Sequence, residues 1–344
     1  MRSLMFESPG ELHWREVPDA RVEHDRDVVV RPLAVARCDL DLPIALGLYP
    51  MPSPFPMGHE LVGEVVDRGD DAGDWQPGDR VVVPFQISCG TCGSCRAGHT
   101  NACQSVPPGA AIGLGPAGGE TFGGALSDLV RVPYADFTLL ALPDGISPVA
   151  ASGVPDNVAD GFRCVAGPLA DRPGEAVLVV GGLAASVGLY AVMAAVALGS
   201  ERVVYVDDSP ARLERAAQLG AEVRPVTGDD WGQALGSDRF AITVDAHVLD
   251  AGRNLALTGA APCGTCTSVS GGAGRTAELP LRAMYSKGLT YEVGRVHARA
   301  TAPAVLDLVT SGRLDPAAVI DAVIPFDDAP EAMLDPRTKI VFVP

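Results

Sequence analysis

Ala176-Val-Leu-Val-Val-Gly181-Gly182-Leu-Ala-Ala-Ser186-Val187-Gly188 is the stretch on which the fold turns. It opens a run, Ala176 to Ser200, that carries no charge over 25 residues, a length that hydropathy alone would offer to a membrane. Its interior argues otherwise. A short β-branched run ends at Val180, two glycines break it, and a helical pattern follows from Ser186 to Leu198. Glutamates flank it at 175 and 201, with no basic anchor close by on the N-terminal side. The pattern predicts a buried strand, a tight turn and a buried helix.

The residues downstream repeat the theme. Arg202-Val-Val-Tyr-Val-Asp207 reads as a second buried strand, followed by a helix from Pro210 to Leu219. Further strands are expected near Val223, at Phe240–Asp245 and from Cys263 to Val269. Strands alternating with helices imply a parallel sheet with right-handed crossovers, and such sheets bind ligands beyond the carboxyl ends of their strands. Gly181 and Gly182 would let the backbone approach a pyrophosphate, and Gly188 would let the helix pack on its strand. The helix N-terminus at Ser186 and Val187 would face the phosphates. Asp207, 26 residues beyond Gly181, is placed to accept hydrogen bonds from adenosine ribose hydroxyls, which predicts NAD rather than NADP; Arg212 would lie near the same ribose. The turn departs from G-x-G-x-x-G by about two residues.

A second segment carries metal chemistry. In Cys89-Gly-Thr-Cys92-Gly-Ser-Cys95, with Cys103 beyond, four thiolates can reach one tetrahedral ion, and Gly90, Gly93 and Gly98 allow the tight turns between them. Four soft ligands leave no open position, so the spacing predicts a structural zinc lobe over about residues 86–105. An iron–sulfur cluster would more often place Cys-Pro at the last ligand, whereas Cys103 precedes Gln104. Disulfides would need an oxidising compartment, which nothing here suggests. The 344 residues are 20% charged and 47% hydrophobic, which excludes global disorder and suits two domains. A net charge of −17 speaks against nucleic-acid or anionic-membrane partners. The first residues hold no apolar run long enough for a signal peptide, so a cytoplasmic setting is expected.

Together with Gly58-His59-Glu60-Leu-Val-Gly63-Glu-Val65, Pro77-Gly-Asp-Arg-Val81, Gly123-Gly-Ala125 and the closing Ala302–Leu314 segment, these features resemble the zinc-containing medium-chain alcohol dehydrogenases over essentially the whole chain. The resemblance implies an α/β architecture. A GroES-like, mostly antiparallel β catalytic domain would span residues 1–150, a Rossmann NAD-binding domain 151–290, and a C-terminal return to the catalytic domain 291–344. It implies two zinc ions per subunit. The catalytic one would be held by Cys38, His59 and a third residue that falls on Asp156, judged by its offset from Phe162, with Asp160 as the alternative. Three protein ligands would leave a fourth position for water or substrate. Glu60 would be the residue able to enter the metal shell transiently, and Asp41 the one that orients His59. Phe85 matches a pocket aromatic of the family and, with Leu40, Leu48 and Tyr49, would line an apolar substrate cleft. The implied reaction is hydride transfer between NAD(H) and a medium-sized hydrophobic alcohol, aldehyde or ketone, in a homotetramer or homodimer.

Two positions depart from the family. Its usual hydroxyl two residues after the first cysteine ligand is Leu40 here, and a histidine often found five residues after it is Pro43. Asp39, Glu60 or a water chain would have to carry the proton instead. Alternatives on the same scaffold are a polyol, sugar or amino-alcohol dehydrogenase, or a cofactor-binding relative that has lost turnover. Cys164, Cys263 and Cys266 read as small packing residues, and His297 as a surface residue between Arg295 and Arg299 or as one that borders the cofactor cleft.

Overall fold

The computed structural model describes residues 1–344 apart from 229, 273 and 275. The chain forms two compact units, Met1–Ala159 with His297–Pro344, and Asp160–Val296. Residues 151–159, grouped with the nucleotide-binding half on sequence grounds, belong to the first unit. The side chain of Asn157 there hydrogen-bonds Cys38 and Lys339.

The first unit is built on a sheet ordered Ala322–Pro325, Ile340–Val343, Val28–Ala36, Glu60–Arg68, Arg80–Val83 and Leu140–Ala141, with Val130–Val132 also pairing Val28–Ala36. Its pairings are antiparallel except the edge pair Ala322–Pro325 with Ile340–Val343. Arg2–Ser8, Glu11–Glu16 and Phe55–Pro56 form a smaller antiparallel sheet. The register decides what the sheet can carry. Ala36 faces Glu60 across one pairing and Val341 across another, so the residues just beyond each strand end, 37–38, 59 and 339, gather at one end of the sheet. Alternating apolar residues on these strands, Val28, Val30, Leu61, Val65, Val81 and Val83, enter the main core.

The second unit is a six-stranded sheet ordered Glu222–Pro225, Val203–Asp207, Val177–Val180, Phe240–Asp245, Ala260–Ser268 and Thr290–Val293, parallel throughout. Strand order reverses beside Val177–Val180, the topological position at which such sheets bind ligands. The uncharged run resolves into that strand and the helix Ala185–Ala197, whose residues from Ser186 to Ala195 are all buried. Burial on every side explains a helix without a polar face. No helix among the described residues is long and apolar enough to cross a membrane.

Glycine at the turn is required by close approach. A Cβ on Gly181 would lie 2.1 Å from the Tyr205 hydroxyl and 2.3 Å from Asp207 Oδ2, whereas one on Gly188 would meet the Ala246 Cβ at 3.2 Å. Gly181→Ala is therefore expected to destabilise the chain by about 1–3 kcal/mol through overpacking, and Gly188→Ala by less. Thermal melts of the two variants check the ranking; equal melting temperatures would contradict it.

Candidate active site and metal centres

Cys38 follows the strand Val28–Ala36, His59 precedes the strand Glu60–Arg68, and Asp156 lies in the turn before the helix Asn157–Asp171. The sheet register and that turn bring a sulfur, a ring nitrogen and a carboxylate oxygen to within 4.8 Å of one another, all buried. His59 Nε2 stands 3.3 Å from Asp156 Oδ2, and His59 Nδ1 stands 3.5 Å from Asp41 Oδ1. Asp41 Oδ2 accepts from the Cys38 backbone N–H at 2.9 Å, so one carboxylate spans the segments that carry Cys38 and His59. Asp160 lies elsewhere, paired with Arg163 Nε at 2.5 Å.

Charge is unbalanced at this centre. Burial pushes the Cys38 thiol well above its ordinary range, and the nearby Asp156, Glu60 and Asp41 carboxylates push it further. Burial lowers His59, but Asp41, Asp156 and Glu60 outweigh it and lift the imidazole to about 9. Burial raises Glu60 to about 8 against the pull of Lys339. Burial would raise Asp156 too, yet its hydrogen bond with His59 leaves it below the usual carboxylate value. His59 Nδ1 and Asp41 Oδ1 are buried without a hydrogen-bond partner. A sulfur, nitrogen and oxygen donor set that is short of positive charge fits a divalent ion of the zinc type.

The four lobe cysteines also place their sulfurs within 4.8 Å of one another. Backbone N–H groups of Cys92, Cys95, Gln104 and Ser105 donate to lobe sulfurs at 3.4–3.5 Å, and the Ser105 hydroxyl donates to Cys89 Sγ at 3.2 Å. Donors aimed at sulfur favour thiolate. Burial opposes ionisation of Cys89, but hydrogen bonds from Ser105 and Thr91 bring it down to about 5; burial pushes Cys95 up to about 12. Four ionised thiols would repel one another without a cation between them, and a zinc-type ion fits this donor set.

Around the first centre, the Phe85 ring lies 5.3 Å from that of His59. Leu40 is half-buried against the core, while Leu48 and Tyr49 are exposed on the turn after Asp41–Ala45. Cys164 and Cys266 are buried and Cys263 is exposed. His297 accepts from the Asn101 N–H at 3.4 Å and packs against the His99 ring at 5.3 Å, so it is not a bare surface residue.

In the second unit, Gly181, Gly182, Ser186, Val187 and Gly188 occupy the turn and first helical turn beyond Val177–Val180. Asp207 ends the neighbouring strand, and its carboxylate is already engaged. Oδ1 accepts from Ser209 N at 2.8 Å and Arg212 Nη2 at 2.6 Å; Oδ2 accepts from the Tyr205 hydroxyl at 2.6 Å and Arg212 Nε at 2.8 Å. A ribose would have to share or displace these donors. Residues that sequence patterns did not single out are Tyr205 here, and Asn157, Arg37 and Lys339 in the first unit. The signals were present: Asn157 adjoins Asp156, Arg37 adjoins Cys38, and Lys339 stands directly before the apolar Ile340–Val343 strand.

Comparison with known proteins agrees with this architecture. The model of the alcohol dehydrogenase GroES-like domain matches residues 24–144, and that of the zinc-binding dehydrogenase domain matches residues 186–311. The zinc-type alcohol dehydrogenase B of Aspergillus flavus is 31% identical over 347 residues, covering 96% of this chain and 77% of that protein. The glutathione-independent formaldehyde dehydrogenase of Bacillus subtilis is 30% identical, covering 96% of this chain and 88% of its own. The solved alcohol dehydrogenase TADH from Thermus sp. ATN1 superposes with a TM-score of 0.87 at 32% identity, covering 100% of this chain and 99% of that one. The chain belongs to the zinc-type alcohol dehydrogenase family of the medium-chain dehydrogenase/reductase superfamily, and is an oxidoreductase with a Rossmann-type nucleotide-binding unit.

Burial raises the Asp207 pKa, but Arg212 and Tyr205 outweigh it and hold the carboxyl below its usual range. A depressed folded-state pKa adds stability that is present above the unfolded value of about 3.9 and is lost as pH falls through the folded one. Arg212→Met leaves Asp207 buried without its cation, so acid unfolding should begin at a higher pH. Fluorescence of Trp231, buried in the same unit, reports the midpoint, and an unchanged midpoint would contradict the assignment.

Proposed function

We propose that this chain is a zinc-dependent alcohol dehydrogenase that transfers a hydride between NAD(H) and a medium-sized hydrophobic alcohol, aldehyde or ketone. The observation that carries this reading is the buried group of Cys38, His59 and Asp156, a three-donor set with the composition of a catalytic zinc site. Bound there, zinc would supply Lewis-acid stabilisation of a substrate oxygen, and the nicotinamide would supply the hydride acceptor or donor.

The chain's own residues do the rest. Asp41 faces His59 Nδ1 and favours the tautomer that carries its proton there, leaving Nε2 as the donor atom. Cys89, Cys92, Cys95 and Cys103 would hold the structural ion. The Phe85 ring packs at a tilt against that of His59, 5.3 Å away, and the half-buried Leu40, two residues beyond Cys38, is apolar; apolar neighbours of this kind suit a hydrophobic substrate better than a polyol. Leu40 and Pro43 offer no titratable group, so something other than the family's usual hydroxyl and imidazole must release the proton; the candidates are Asp39, which adjoins Leu40, Glu60, which adjoins His59, and a water chain. The Asp207 carboxylate disfavours a 2′-phosphate and supports NAD over NADP.

Two zinc ions per chain are expected by elemental analysis. Cys95→Ser should remove one and lower the melting temperature. Asp156→Ala should remove the other and abolish NADH formation from a panel of alcohols. One zinc per chain in the wild type, with no turnover on any alcohol or aldehyde, would favour a cofactor-binding relative.

A homo-oligomer in a reducing, cytoplasmic setting is part of the same proposal. Four cysteine sulfurs gathered at one site suit a compartment in which thiols stay reduced. The edge strand Thr290–Val293 and the helix Leu281–Lys287 expose Val293, Leu281 and Tyr285, an apolar face of the kind that a second copy covers. Light scattering should give twice or four times the chain mass, and Tyr285→Lys with Val293→Lys should lower it; a monomeric wild type would refute this.

A further inference from the structure

The candidate catalytic metal centre shares a single anchor. Lys339, wholly buried, donates from Nζ to Glu60 Oε2 at 2.6 Å, Asn157 Oδ1 at 2.8 Å and the Arg37 carbonyl at 2.9 Å. An ammonium has three N–H donors, so all are used. Each acceptor belongs to the residue adjoining one of the three donors of the centre: Arg37 precedes Cys38, Glu60 follows His59, and Asn157 follows Asp156.

Asn157 carries the constraint inward. Its side-chain amide donates to Cys38 Sγ at 3.3 Å and to Asp156 Oδ2 at 3.2 Å, and its backbone N–H donates to Glu60 Oε1 at 3.3 Å. Arg37 secures the segment that delivers the lysine, donating to the carbonyls of Ala332, Asp335 and Arg337. Any buried ammonium needs acceptors for its three N–H groups; what distinguishes this one is that all three acceptors adjoin the donors of the centre. Here the ammonium is the common vertex of three segments far apart in the chain.

We infer that Lys339, acting with Asn157, is a positioning residue that sets the spacing of the Cys38, His59 and Asp156 donors before a metal binds. The inference rests on the metal reading of those three residues. Lysine suits the task because its three donors spread from one point; a planar guanidinium keeps the charge but cannot meet the same three acceptors. Asn157 suits it because one amide accepts from the ammonium while donating to two of the metal-site side chains.

The test uses full-length protein with zinc left in the cysteine lobe and Co²⁺ loaded at the other centre. Cys38→Ser provides the spectral baseline. Lys339→Arg and Asn157→Leu are each expected to weaken metal binding at this centre about tenfold to a hundredfold, the usual effect of losing a partner of a metal ligand. Both should also alter the thiolate-to-cobalt charge-transfer band, while lobe zinc stays at one per chain. Asn157→Asp, which keeps an acceptor for Lys339 but loses the amide donors, should behave like Asn157→Leu. Wild-type affinity and an unaltered band in Lys339→Arg and Asn157→Leu, with only a lower melting temperature, would overturn the inference and leave the metal reading standing. A wild-type cobalt spectrum equal to that of Cys38→Ser would overturn both. Should Lys339→Arg fail to fold, the two Asn157 variants decide the matter by the same readouts.

Discussion

Arg37, Cys38, His59 and Lys339 are brought together at the candidate metal centre by an antiparallel register in which Ala36 faces both Glu60 and Val341. Strands in a sheet align their ends as well as their faces, so a fixed pairing also fixes which flanking residues meet. A slip of one residue would take Val28, Leu61 and Val83 out of the main core and scatter Arg37, Cys38, His59 and Lys339. The apolar core that holds the register thus also holds the chemistry. The strand Ile340–Val343, from the far end of the chain, is part of that sheet rather than an appendage to it.

Electrostatics then sets the character of the centre. Cys38, Asp41, Glu60 and Asp156 are buried together; His59 pairs with Asp41 and Asp156, Lys339 pairs with Glu60, and the buried Arg37 guanidinium acts on Asp41. Desolvation makes isolated buried charge costly, so such a cluster persists only when hydrogen bonds and compensating charge surround it. Lys339 offsets one carboxylate, and a divalent ion would offset the rest. The cysteine lobe solves a related problem by local means, with backbone N–H groups of its own loop turned toward sulfur.

The nucleotide-binding unit uses the same economy of space. Gly181 has no side chain because the Tyr205 hydroxyl and the Asp207 carboxylate fill the volume a Cβ would need. Tyr205, Asp207 and Arg212 form a closed hydrogen-bonded set at a strand end. The acid expected to meet a ribose is therefore held by its own neighbours, and any ligand there competes with Arg212 for it.

Features that are local along the chain could be read from the amino-acid order alone. The charge-free strand, turn and helix at 176–198, the alternation of strands and helices beyond it, and the four cysteines within fifteen residues can each be read from neighbours in sequence, because their geometry is set by backbone period and ligand spacing. Family resemblance extended this to Cys38, His59 and Asp156, which the structure brings together. Lys339 lies 279 residues from Glu60 and 182 from Asn157, and no periodicity relates positions so far apart. A lone lysine before an apolar strand reads as a solvated strand end until its register is known. The burial of this ammonium and its three acceptors emerge with the folded sheet, since both follow from strand pairing across the whole chain.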